Sequence, residues 1–167
     1  YTDTAEFCAA FEDTPPSGQD ETLEMSIGTL THRYLEAIAN DGIEAWSARR
    51  IAHLHATVVR TLCQQGHSVP DADIAAKQII HTVTTMLESD TGRWILKPRT
   101  VAANEIPMSS LHPDAPSLFQ HHIIDRMFID DGIRWIIDYK TFYSGDTVTQ
   151  AQLHSRAFSY QTQLERY

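Results

Sequence analysis

Asp125 and Asp138 stand on either side of an Asp131-Gly132 pair, in two segments otherwise rich in Ile, Met, Phe and Trp. Asp-Gly between β-branched and aromatic runs marks a two-residue hairpin turn, whose central residues both need positive φ. Residues equidistant from that turn face each other, and Asp125 then faces Asp138. Directly opposed Cβ atoms lie ~5 Å apart, and ionising two carboxylates so close in apolar surroundings is costly without a compensating cation. Hard oxygen ligands suit Mg²⁺ or Mn²⁺. The strand period of two puts Lys140 on the same face as Asp138, so the unit reads as a metal site with a cation beside it. Solvated strand-end aspartates are the alternative, and a longer loop would move Asp125 out of register. Glu105, in the segment before, either joins the same site or lies solvated on the outer face.

The elements that must hold these residues follow from periodicity. Segments 101–108, 119–129 and 133–141 are β-branched and aromatic, which predicts three strands. Ahead of them the spacing is helical. Leu30, Tyr34, Leu35 and Ile38 form a stripe from Gly28 to about Asn40; a second helix is predicted over 44–65 with Trp46, Ile51, Leu54, Val58 and Leu62, and a third over 70–88 with Ile74, Ile79, Val83, Met86 and Leu87. A final helix is predicted over 149–167, with Ala157, Phe158 and Leu164 facing inward. Helices, an antiparallel sheet and a further helix define a layered α/β (α+β) domain.

Charge is uneven. The formal net charge is -9, yet residues 1–27 hold seven acids and no Lys or Arg, so that segment carries -7 and the body -2. With Thr14-Pro15-Pro16-Ser17-Gly18 inside it, residues 1–27 read as an acidic arm or linker. No run is long enough to cross a bilayer and no leader opens the chain, so a membrane partner is not expected. Cys8 and Cys63 are too few for a disulfide framework. A first residue of Tyr rather than Met sets the expectation of a piece of a longer protein, with part of the function outside it.

Other candidates are weaker. His121 and His122 are adjacent in a strand and point to opposite faces; His53 and His55 diverge on a helix. None of Lys77, Lys97 and Lys140 follows a phosphate-binding glycine loop, so no ATP site is expected. Arg93, Lys97 and Arg99 are either phosphate contacts or a solvated surface, and Trp46, Trp94, Phe128 and Trp135 read as core rather than base-stacking platforms.

Taken in order, Gly28-Thr29-Leu30-Thr31-His32, Ile124-Asp125-Arg126, Trp135-Ile136-Ile137-Asp138-Tyr139-Lys140-Thr141 and Gln163-Leu164-Glu165-Arg166-Tyr167 resemble the RecB-type nuclease domain of the PD-(D/E)XK superfamily. Such domains close helicase-nucleases of the exonuclease V and AddA type, behind a UvrD-like motor. The resemblance spans 28–167, with the chain stopping at the last residue of the final motif. It implies a restriction-endonuclease-like core: a central mixed sheet including an antiparallel hairpin, flanked by helices and preceded by a helical segment. It implies that His32, Asp125, Asp138 and the backbone carbonyl of Tyr139 bind Mg²⁺ or Mn²⁺. Lys140 would orient the attacking water, while Gln163 and Tyr167, and more loosely Glu105, would support the active site or contact the nucleic acid. The implied activity is metal-dependent, exonuclease-type hydrolysis of DNA in double-strand break repair and recombination. The implied partners are DNA, the helicase portion of the same protein and a second subunit, in a bacterial-type cytoplasm at the nucleoid. Relatives with an iron-sulfur staple use four cysteines; two distant ones exclude a cluster here.

Overall fold

Thr22 is the cap of the first helix. In a computed structural model, which describes residues 22–112, 115–141 and 149–161, its hydroxyl accepts from the Met25 N–H at 3.3 Å. The helix it caps, α1 (Leu23–Asp41), therefore starts before Gly28, where the apolar spacing predicts it. Glu24 favours the first turn through the helix dipole, and Leu23 and Ile27 pack against the core. The described end of the acidic arm, 22–27, is thus part of the domain's first helix.

The single helix predicted over 44–65 is three pieces: a 3-10 turn (Ile43–Ala45), α2 (Ala48–Ala52) and α3 (Leu54–Gln64). Ser47 caps α2, accepting from Arg50 N–H at 3.3 Å. At the next joint the Arg49 carbonyl meets both the His53 N–H at 3.2 Å and the His53 ring at 2.6 Å. Helix α4 (Val69–Glu88) follows its prediction, with Ser68 as cap and Pro70 in the first turn. A further helix, α5 (Asp90–Leu96), is capped by Ser89, which accepts from Gly92 N–H at 3.0 Å. A Cβ on Gly92 would run into the Met86 carbonyl, so only glycine lets α5 fold back on the end of α4. Leu35 and Ile38 of α1, Val58 and Leu62 of α3, and Ile79 and Val83 of α4 build the fully buried core. Ile74, expected on that stripe, is exposed on α4.

Strands β1 (Ala102–His112), β2 (Ala115–Asp130) and β3 (Ile133–Ile137) form one sheet in the order β1-β2-β3, each pair antiparallel. Asp131 at φ 50° and Gly132 at φ 76° close the two-residue turn, and Phe128 pairs with Trp135 and Arg126 with Ile137, the predicted register. The described residues are therefore α+β, and no parallel strand pair of the expected mixed sheet occurs among them. One sheet face turns Ile124, Arg126 and Phe128 inward. Trp94 of α5 seals it edge-on against Phe128 and Trp135, with ring centres 5.1 and 4.9 Å away. The other face leaves Ile123 57% exposed.

Helix α6 (Gln150–Ser159) carries a complete Thr149/Gln152 capping box. Ala157 and Phe158 do not face inward as expected: both are exposed, Phe158 by 76%, because no described element covers that side of the helix. Among the described residues, no helix is long and apolar enough to cross a membrane.

Candidate active site

Helix α1 runs beside the chain that leaves β3, close enough that a Cβ on Gly28 would meet Thr141 Oγ1 at 3.5 Å. One turn further, His32 borders the buried stripe of Leu30 and Leu35 and points at the sheet, its Nδ1 3.4 Å from Asp125 Oδ1. Its ring also packs edge-on against Tyr139, centres 5.6 Å apart. The other Asp125 oxygen, Oδ2, accepts from the Tyr139 N–H at 2.5 Å. That bond holds the segment beyond Ile137 against β2, where the hairpin register sets Asp138 across from Asp125. β3 ends at Ile137 rather than Thr141, so Asp138, Tyr139 and Lys140 form its irregular tail. Lys140 Nζ lies 2.7 Å from Asp138 Oδ2 and 5.1 Å from the centre of the Tyr160 ring.

The two acid side chains are only 11% and 7% exposed at Asp125 and Asp138. Carboxylates so buried need compensation, and each has one: His32 and the Tyr139 N–H for Asp125, Lys140 for Asp138. The His32 pKa is raised, chiefly by its bond to Asp125 and also by Asp138, against burial and Lys140. A single ring that feels all three groups makes them one electrostatic unit.

Glu105 belongs to its edge. Its neighbours Asn104 and Ile106 pair with Arg126 and Ile124, which sets it opposite Asp125, and its φ of 49° lies in the left-handed region. Such a conformation costs a non-glycine residue roughly 1–2 kcal/mol and is the kind of strain that collects at functional sites. Partial desolvation, then Asp125 and Glu36, push the Glu105 carboxyl up against the pull of His32 and Arg33. Glu36 was missed from the sequence, although its spacing of one helical turn from His32 on α1 was the signal. The Tyr139 hydroxyl is buried without a partner among the described residues, and burial pushes it up to about 12, so this phenol stays protonated.

An imidazole and two carboxylates, with a lysine alongside, form a donor set that fits Mg²⁺ or Mn²⁺. As described, they are engaged in pairs, and among the described residues no three His, Cys, Asp or Glu are arranged to hold an ion. The Tyr139 backbone reaches the site through its N–H. Gln163, Tyr167, Leu164 and Cys8 lie outside the described residues.

The remaining candidates are used elsewhere. His121 and His122 each bond a cross-strand serine, Ser109 at 2.9 Å and Ser110 at 3.1 Å. His55 pairs with Asp73, while His53 turns back on its own helix. Arg99 is not a surface phosphate contact: its buried guanidinium bonds Asp130 at 3.3 Å and stacks 3.8 Å over Phe128. Arg93 reaches Glu44 at 3.5 Å. No family model matches the chain, and no curated protein or solved structure does so.

Proposed function

We propose that this chain is a divalent-metal-dependent DNA nuclease domain of the RecB type, with a restriction-endonuclease-like core, working beside a helicase portion in break repair and recombination. One observation carries the reading: His32 from α1, Asp125 from β2, and Asp138 with Lys140 from the tail of β3 meet where β3 ends. A helix and a hairpin far from it in sequence converge there on buried charge, which packing alone does not call for. His32, Asp125 and Asp138, with the Tyr139 carbonyl, would hold Mg²⁺ or Mn²⁺. Bound there, such an ion acidifies water and acts as a Lewis acid on a phosphodiester oxygen.

The chain's own groups do the rest. Asp125 and Asp138 stand in a poorly hydrated corner, where electrostatic interactions with a substrate are strong. Lys140, tethered by Asp138, presents an ammonium toward the place where charge develops on phosphate. His32 would have to be neutral to serve as a ligand, and the bond to Asp125 that raises its pKa moves that requirement to higher pH. Asp138→Ala in the intact protein should abolish Mg²⁺-dependent cleavage of linear duplex DNA, a loss of at least about a hundredfold; cleavage at the unmodified rate would end the proposal.

A catalytically silent DNA-binding or scaffolding module is the second reading, favoured by the pairwise compensation of both acids. Titration with Mn²⁺ separates the two. Binding that disappears in Asp125→Ala supports the nuclease, and absence of binding supports the silent module.

A further inference from the structure

Arg126 is 1% exposed, the most deeply buried charged side chain among the described residues. It sits between Ile124 and Phe128 on the face of β2 opposite the one that carries Asp125. All three guanidinium nitrogens donate to neutral oxygens. Nε reaches the Ile95 carbonyl at 2.8 Å and Nη2 the Lys97 carbonyl at 3.1 Å, both at the C-terminal end of α5. Helix ends leave such carbonyls without an intrahelical partner. Nη1 reaches Asn104 Oδ1 at 2.7 Å. The other end of that amide is also taken, because Asn104 Nδ2 donates to Asn40 Oδ1 at 2.7 Å, in the last turn of α1.

One chain of hydrogen bonds therefore links α5, β2, β1 and α1. Each of the last three carries a site residue. Asp125 is the neighbour of Arg126, Glu105 is the neighbour of Asn104, and His32 lies about two turns before Asn40 on α1. An apolar side chain of similar size would fill the same space but leave these three oxygens without a donor. A rigid three-pronged fork supplies direction, which an apolar side chain or the point charge of lysine does not.

We infer that Arg126, acting through Asn104 and Asn40, is the positioning residue of this site, fixing Asp125 and Glu105 relative to His32 without touching substrate. Its consequence for catalysis rests on the nuclease reading; its geometric part does not. The left-handed backbone of Glu105 follows directly after an asparagine clamped at both ends of its amide, which is how a strained residue is held in place.

Site-resolved amide exchange tests the geometry, because the Tyr139 N–H reports the position of Asp125 Oδ2. Arg126→Lys keeps the charge and loses the fork. In that variant the Tyr139 amide should exchange at least tenfold faster, while the Ile129 amide, which donates to the Val101 carbonyl at the other end of the strand, keeps its rate. With linear DNA and Mg²⁺, kcat should fall at least tenfold with KM within twofold. Asn40→Ala, at the surface, leaves the guanidinium paired and should move both readouts in the same direction by a smaller factor, so the test survives poor folding of Arg126→Lys. Wild-type Tyr139 exchange in Asn40→Ala and Arg126→Lys, or equal acceleration of Tyr139 and Ile129, overturns the inference. If the unmodified protein cuts no DNA, the nuclease reading falls and the exchange comparison still decides the positioning role.

Discussion

Helices α1 to α5 bury their apolar stripes against one another, whereas the sheet buries Ile124, Arg126 and Phe128 on one face and leaves Ile123 and Ile129 of the other exposed. The two regions are held together differently as well. Inside the helical region, contacts are aliphatic and interchangeable within limits of volume. At its border with the sheet they are directional: the Arg126 fork, the Asn104–Asn40 bond, and the Asp130 carboxylate that takes the Trp94 indole N–H at 2.6 Å and Arg99 at 3.3 Å. The candidate site lies on that border. Aliphatic packing supplies a stable platform, and the polar ties set the angle at which β2 and the tail of β3 meet α1.

Emptying the helical core should hurt most. Leu35→Ala removes a buried side chain and should cost about 2–5 kcal/mol in urea unfolding. Next comes the turn that sets the register. Gly132→Ala places a Cβ at φ 76°, at a cost of roughly 1–2 kcal/mol, and DNA cleavage should fall with it because the Asp125/Asp138 alignment depends on that turn. A smaller effect is expected at the border in acid. Hydrogen bonds from Arg99 and Trp94 hold the Asp130 carboxyl below the ordinary carboxylate range. The folded pKa is depressed, so this contribution is present above the unfolded value of about 3.9 and is lost as pH falls through the folded one. Asp130→Asn should flatten that acid limb of the urea midpoint between pH 5 and 2. The smallest change is Ile123→Thr on the uncovered face, within about 0.5 kcal/mol. A loss there as large as that of Leu35→Ala would mean that the uncovered face is structural after all, and the contrast between the two regions would fail.

Much of the hairpin was legible in advance, since alternation and an Asp-Gly pair specify both the turn and its register. The α4 boundaries were legible from the stripe of Ile79, Val83 and Leu87, with Pro70 near the start. The break in the helix predicted over 44–65 was not, because Trp46, Ile51 and Leu54 keep a helical rhythm straight through the Ser47 cap. Helix α5 was hidden by its shortness and by Gly92, a residue that ordinarily weakens a helix and here permits contact with Met86. Arg126 stood inside a motif without a role: its place between Ile124 and Phe128 put it on the buried face, but its acceptors come from α5 and β1. Gln163 and Tyr167 gained no placement, as they lie outside the described residues.

By itself the sequence determined the local features: the caps at Ser68 and Thr149, the turn at Asp131-Gly132, and through it the setting of Asp138 across from Asp125. These depend on φ, on side chains that bond their own backbone, and on a period of two, all of which act over a few residues. Tertiary structure alone decided that His32 meets Asp125, that the Tyr139 N–H closes on the same carboxylate, and that Arg126 ties four elements behind them. Those contacts join distant parts of the chain, so they exist only once helix and sheet have packed at one particular angle, and no local pattern encodes that angle.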